Sequence, residues 1–148
     1  MTAPVPSAVV LTQVGDASLL AAACALGGVE VDALDTPVGA VAVCRSLEPG
    51  QPERVAETIS RLLANTPVVL VVQRDGQISA TRWSAGAAGA VVAPVLLLDG
   101  APPEVEGLLL GTLTREDLTG AVTSVGMSRW KATRALASAA RRARRARG

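Results

Sequence analysis

The sequence predicts an α+β sandwich, on three observations. Apolar β-type runs and two helical stretches alternate in the order strand, helix, strand, strand, helix, strand. The second and third strands are separated by only Asp35-Thr36-Pro37, too little chain for a crossover helix, so they form an antiparallel hairpin and not a doubly wound unit. The chain has 148 residues, 49% of them apolar, which is the usual size of one domain and leaves room for a core.

Residues 1–7, with Pro4 and Pro6, are an irregular lead-in. Residues 8–14 read as a buried strand that Gly15-Asp16 ends, and Asp16 is placed to cap a helix reaching about residue 26. Gly27-Gly28 closes that helix, whose alanines suit tight packing on a sheet. Residues 29–34 and 38–44 are the hairpin strands. Pro52 and Glu53 suit the first turn of a second helix, in which Val55, Ile59, Leu62 and Leu63 share one face. Glu57 and Arg61 pair on its outer side, and Asn65 and Pro67 close it.

Residues 68–73 are the most apolar β-type run and belong centrally in a sheet. Asp75-Gly76 is a hairpin turn, with residues 77–83 as its return strand. Residues 84–89 read as a loop of small residues and 91–98 as another strand, which Pro94 assigns to an edge or a bulge. Residues 99–102 turn the chain and 103–110 form a short helix. Thr114 then caps a further helix, with Glu116 and Asp117 in its first turn, ending near residue 124. The order through residue 83 is that of a ferredoxin-like βαββαβ sandwich with added strands. Residues 1–100 form the α/β body and residues 101–148 a helical C-terminal segment with a basic tail.

Charge divides the chain sharply. Residues 1–117 hold all 13 acidic residues and six basic ones, a net −7. Residues 118–148 hold eight basic residues and no acid, a net +8, so the formal +1 of the whole hides a basic end on an acidic body. Such asymmetry points to nucleic acid, a membrane surface or an acidic partner. Ser128 caps a helix rich in Ala, Leu, Arg and Lys. Ala132, Ala135, Leu136, Ala139, Ala140, Ala143 and Ala146 fall on one side of it. Lys131, Arg134, Arg141, Arg142 and Arg145 fall on the other with Trp130, while Arg129 and Arg147 interrupt the alanine stripe. A face of methyl groups inserts weakly into lipid, which ranks DNA, RNA or an acidic protein above a membrane. Beyond Ala139 a solvated tail is an equal alternative.

Residues 118–136 resemble a helix-turn-helix DNA-binding unit. The resemblance is carried by Leu118, by Val125-Gly126-Met127-Ser128 through the turn, and by Arg134 in the second helix. It implies a left-handed Gly126, Met127 plugging the angle between helices, and a recognition helix capped by Ser128. Arg129, Trp130, Lys131 and Arg134 would then approach the major groove or its phosphates. The chain departs from the pattern at Gly120, Val122, Ala132 and Ala135. An ordinary helical hairpin capping the sheet is the alternative.

Other features point less far. The chain has no His, and no nucleophile–base pair or metal set can be assembled from the residues present, so no catalytic site or cofactor is expected. Cys24 and Cys44 lie in apolar runs and read as buried free thiols. The longest uncharged apolar run is too short to span a bilayer and no secretory signal is visible, so the expectation is a cytoplasmic protein. Residues 84–89 lack the lysine and hydroxyl of a P-loop. Arg82 and Trp83 could stack a base, and Glu30, Asp32 and Asp35 cluster around the first hairpin, as a cation site or a solvated edge. The expected binding residues are therefore Arg129, Trp130, Lys131, Arg134, Arg141, Arg142, Arg144 and Arg145. They fit a nucleic-acid-associated protein, or else an assembly module whose basic helix docks on an acidic partner or on a second copy in a homo-oligomer.

Overall fold

Alternating apolar residues on both faces of the strands require cover on both sides of the sheet, and the computed structural model supplies it. It describes residues 6–63, 66–95, 101–114, 117–118 and 120–147; within the last helix the side chains of residues 129, 139–140, 142–144 and 146–147 lie outside the description. The elements are β1 (Ser7–Leu11), α1 (Ala17–Leu26), β2 (Val31–Leu34), β3 (Val41–Cys44), α2 (Gln51–Leu62), β4 (Val68–Arg74), β5 (Gln77–Ser84), β6 (Ala87–Val92), α3 (Pro103–Leu110), β7 (Val122–Thr123) and α4 (Arg129–Arg147). The fold is α+β. Its sheet runs β6-β5-β4-β1-β3-β2-β7, with every neighbouring pair antiparallel.

On one face Ala8, Val10, Val31, Ala42, Val68 and Leu70 meet Leu20, Ala21 and Cys24 of α1 and Val55, Ala56 and Ile59 of α2. On the other, Val9, Val41, Val43 and Val71 meet Val105, Leu108 and Leu109 of α3. The charge-free helix α1 is buried on more than its sheet side, because α4 packs along it. A helix apolar all round needs two covered sides, and the sheet and α4 provide them. Asp16 caps α1, its Oδ1 accepting from Ser18 N–H at 2.8 Å, as the sequence leads one to expect.

The Asp75-Gly76 turn joins β4 and β5 with both residues at positive φ, 53° and 79°. This is the two-residue turn whose twist suits a hairpin. Gly76→Val places a β-branched side chain at that φ and is expected to lower stability by about 1–3 kcal/mol. A melting temperature equal to wild type would contradict it.

Four expectations are corrected. Residues 84–89 are not a loop: Ala85-Gly86, both at positive φ, make a second tight turn and β6 begins at Ala87. The strand expected at 91–98 is accordingly shifted back and ends before Pro94, which cannot supply a ladder N–H; residues 96–98 lie outside those described. Leu62 does not join the apolar face of α2 but is 49% exposed at its last position. The helix expected from Thr114 to about residue 124 is replaced in part by β7. The Asp117 carboxylate does accept from Thr114 N–H at 2.8 Å, but Gly120 is left-handed and Val122 pairs with Ala33 at the sheet edge. Ser124 fixes that edge: its Oγ accepts from Val31 N–H at 2.9 Å and donates to Val29 O at 3.0 Å, while its own N–H donates to Val31 O.

Candidate nucleic-acid interface

The turn 124–128 aims the basic helix. Gly126 is left-handed at φ 79°, and Met127 is half-buried against the core under α1 and α2. Ser128 Oγ accepts from Lys131 N–H at 3.1 Å and Ser128 O from Ala132 N–H at 2.9 Å, which starts α4. What precedes the turn is strand β7 over residues 122–123, where a helix was expected.

α4 lies on α1 by its alanine side. Ala132 is fully buried and Ala135 and Leu136 are half-buried. At about 100° per residue, Trp130, Arg134, Arg141 and Arg145 fall roughly opposite Ala132 on the helix and so face away from α1. Their exposure agrees: Trp130 is 71% exposed, and Lys131, Arg134, Arg141 and Arg145 are exposed. Arg129, Arg142 and Arg144 belong to the helix, and their side chains lie outside those described. The helix thus brings Trp130, Lys131, Arg134, Arg141 and Arg145 together on open surface. Among the described residues the ion pairs are elsewhere, Arg45 with Asp32 and Arg61 with Glu57.

Two depressions flank the start of this face. One is lined by Trp130, Lys131, Arg134, Ala135 and Ser138. The second runs between β7 and the helix, past Ser18, Thr123, Val125 and Met127, and shares Lys131 and Ala135 with the first. No signal in the sequence placed Ser18 or Thr123 beside Lys131: Ser18 comes there because α4 packs on α1, and Thr123 because β7 joins β2.

No family model, curated protein or solved structure matches this chain.

The other candidates become structural. Asp32 is nearly buried and takes Arg45 in a two-pronged pair, 2.9 and 3.1 Å from Nη2 and Nε, while Asp35 Oδ1 accepts from Ala17 N–H at 2.8 Å. Asp32 and Asp35 are thus separated by task, and only Asp35 joins Asp16 on the first amides of α1. In the segment 84–89, which lacks the residues of a P-loop, Gly86 N–H donates to Ser60 Oγ at 2.9 Å. Arg82 and Trp83 are consecutive on β5 and point to opposite faces, so they cannot hold one base between them. Among the described residues no group of three His, Cys, Asp or Glu could hold a metal ion, and no helix is long and apolar enough to cross a membrane.

Cys24 and Cys44 are buried and unbridged. Burial pushes both thiols up to about 12, helped by the charge of Cys44 on Cys24 and of Glu53 on Cys44. A raised pKa removes thiolate at ordinary pH, to about one part in ten thousand at pH 8. Native protein at pH 8 is expected to resist a thiol reagent until it is unfolded. Rapid labelling of either cysteine in the native state would contradict this.

Proposed function

We propose that this is a non-enzymatic, nucleic-acid-associated protein whose C-terminal basic helix contacts phosphates. One observation carries the reading: α4 uses its alanine side to lie on α1 and leaves Lys131, Arg134, Arg141 and Arg145 exposed, in a stretch of the chain that holds eight cations and no acid. A row of cations without acids attracts a polyanion and carries no sequence information by itself. Binding in this reading is by the open face of α4, not by a pair of helices, since residues 122–123 are strand. The body is then a ferredoxin-like platform, supported by the local order β4-β1-β3-β2 with antiparallel neighbours, widened by β5 and β6 at one edge and β7 at the other. A cytoplasmic location agrees with two buried free thiols.

A second reading is favoured by the net −7 of residues 1–117: the same helix docks on an acidic protein or on the body of a second copy. Fluorescence anisotropy with a random-sequence duplex and a single strand at low salt, beside sedimentation of the protein alone, separates the two. The nucleic-acid reading expects saturable binding by a protein whose size does not depend on salt. Absence of binding to both probes, with oligomers that dissociate as salt rises, would favour assembly instead.

A further inference from the structure

A cationic helix face alone suits any polyanion, but this one begins with a bare indole. Trp130 is 71% exposed on the first turn of α4, beside these cations. It is neither covered by α1 nor part of either core cluster. The other tryptophan, Trp83, is half-buried on β5 and packs against the core. Arg134, one helical turn after Trp130, and Lys131, next to it, line the same depression, with Ser138 a further turn on.

We infer that the face of Trp130, with Lys131 and Arg134, is a stacking site for an unpaired base of a single-stranded nucleic acid; this rests on the phosphate-binding reading of α4. The chemistry is specific to single strands. A base inside a duplex has both faces covered by its neighbours, whereas an unpaired base offers a free π-face that an aromatic ring can cover. Lys131 and Arg134 then meet the phosphates on either side of the stacked base. The second depression, reached across Lys131 and bordered by Thr123 and Met127, gives the strand a concave path off the helix toward the sheet edge. Charge complementarity selects a polyanion as occupant, and the exposed ring selects one with unpaired bases. Stacking tolerates every base, so the site reads neither sequence nor, Ser138 aside, the sugar.

The inference separates two contributions that salt can resolve. Stacking is insensitive to salt, while phosphate contacts on single strands each contribute about 0.7 to the slope of log affinity against log salt. Trp130→Ala is expected to weaken oligodeoxythymidine binding by about tenfold or more at every salt concentration with the slope unchanged. Trp130→Phe should retain most of the affinity. Lys131→Ala with Arg134→Ala should flatten the slope by about 1.4. Oligodeoxythymidine and oligouridine should bind with similar affinity, and Trp130→Ala should weaken duplex binding far less than single-strand binding. Tryptophan fluorescence provides a direct readout, since oligonucleotide should quench wild type but not Trp130→Phe, which retains only Trp83. Equal loss on duplex and single strand, or no loss on either when wild type binds both, would overturn the stacking site and leave the phosphate reading standing. Failure of wild type to bind either probe would overturn both.

Discussion

Changing Arg141, Arg142, Arg144 and Arg145 together to alanine is expected to cut the salt slope of duplex binding by up to about 3.6, at about 0.9 per lost phosphate contact. Over a fourfold range of salt, that corresponds to a salt sensitivity about a hundredfold smaller than wild type. Weakening should be alike for all sequences, because phosphate contacts carry none of the sequence information. The fold should survive. Arg141 and Arg145 are exposed, Ala132 holds the helix on α1 earlier in the chain, and alanine is the best helix former. A gel-shift or anisotropy series on both proteins checks it, with circular dichroism as the control. A variant that keeps the wild-type slope would show that the cations at the end of α4 touch no phosphate. A variant that instead changes oligomer size, where wild type binds no nucleic acid, would support docking between copies.

The second large effect concerns the layer that carries α4. Leu20→Ala is expected to lower stability by about 2–5 kcal/mol, the usual cost of emptying a fully buried leucine site. Leu20 has no exposed surface and sits between α1 and the sheet, with Ala21 and Cys24 beside it. In a domain whose total stability is about 5–15 kcal/mol this is a large fraction. Leu62→Ala makes the control: Leu62 is 49% exposed, and its loss should fall within about 0.5 kcal/mol. Denaturant midpoints of the two variants, compared at equal m-value, decide it. Equal losses would contradict the placement of Leu62 outside the core.

The pair also shows where the sequence was legible. Leu20 lies in a charge-free run that only a doubly covered helix explains. Leu62 keeps the helical period of Val55 and Ile59, yet it comes where α2 ends and cover runs out. Local signals with a mechanism survived in the structure: Asp16 as a cap, Asp75-Gly76 as a turn, Ser128 as a cap, Gly126 as a left-handed turn residue. Of the two edge strands, β6 was legible only in its last residues, Val91 and Val92, and β7 not at all. β6 is Ala-Ala-Gly-Ala-Val-Val, a poor β sequence, and only its pairing with β5 makes it a strand. β7 has two residues, and its place is set by Ser124 bonding to residues 93 and 95 positions away in the chain. At the site, the helical period alone put Trp130 with the cations and Ala132 opposite. The second depression was invisible for the same reason as β7, since it forms only when residues 121–127 return to the sheet edge.

If α4 binds nucleic acid through phosphates, the salt slope of the wild-type protein must report it. Binding to two duplexes of unrelated sequence is measured across a salt series. The account predicts one shared straight line of log affinity against log salt, with a slope of several units at about 0.9 per phosphate contact. Binding that is absent at low salt, or a slope near zero, would contradict it.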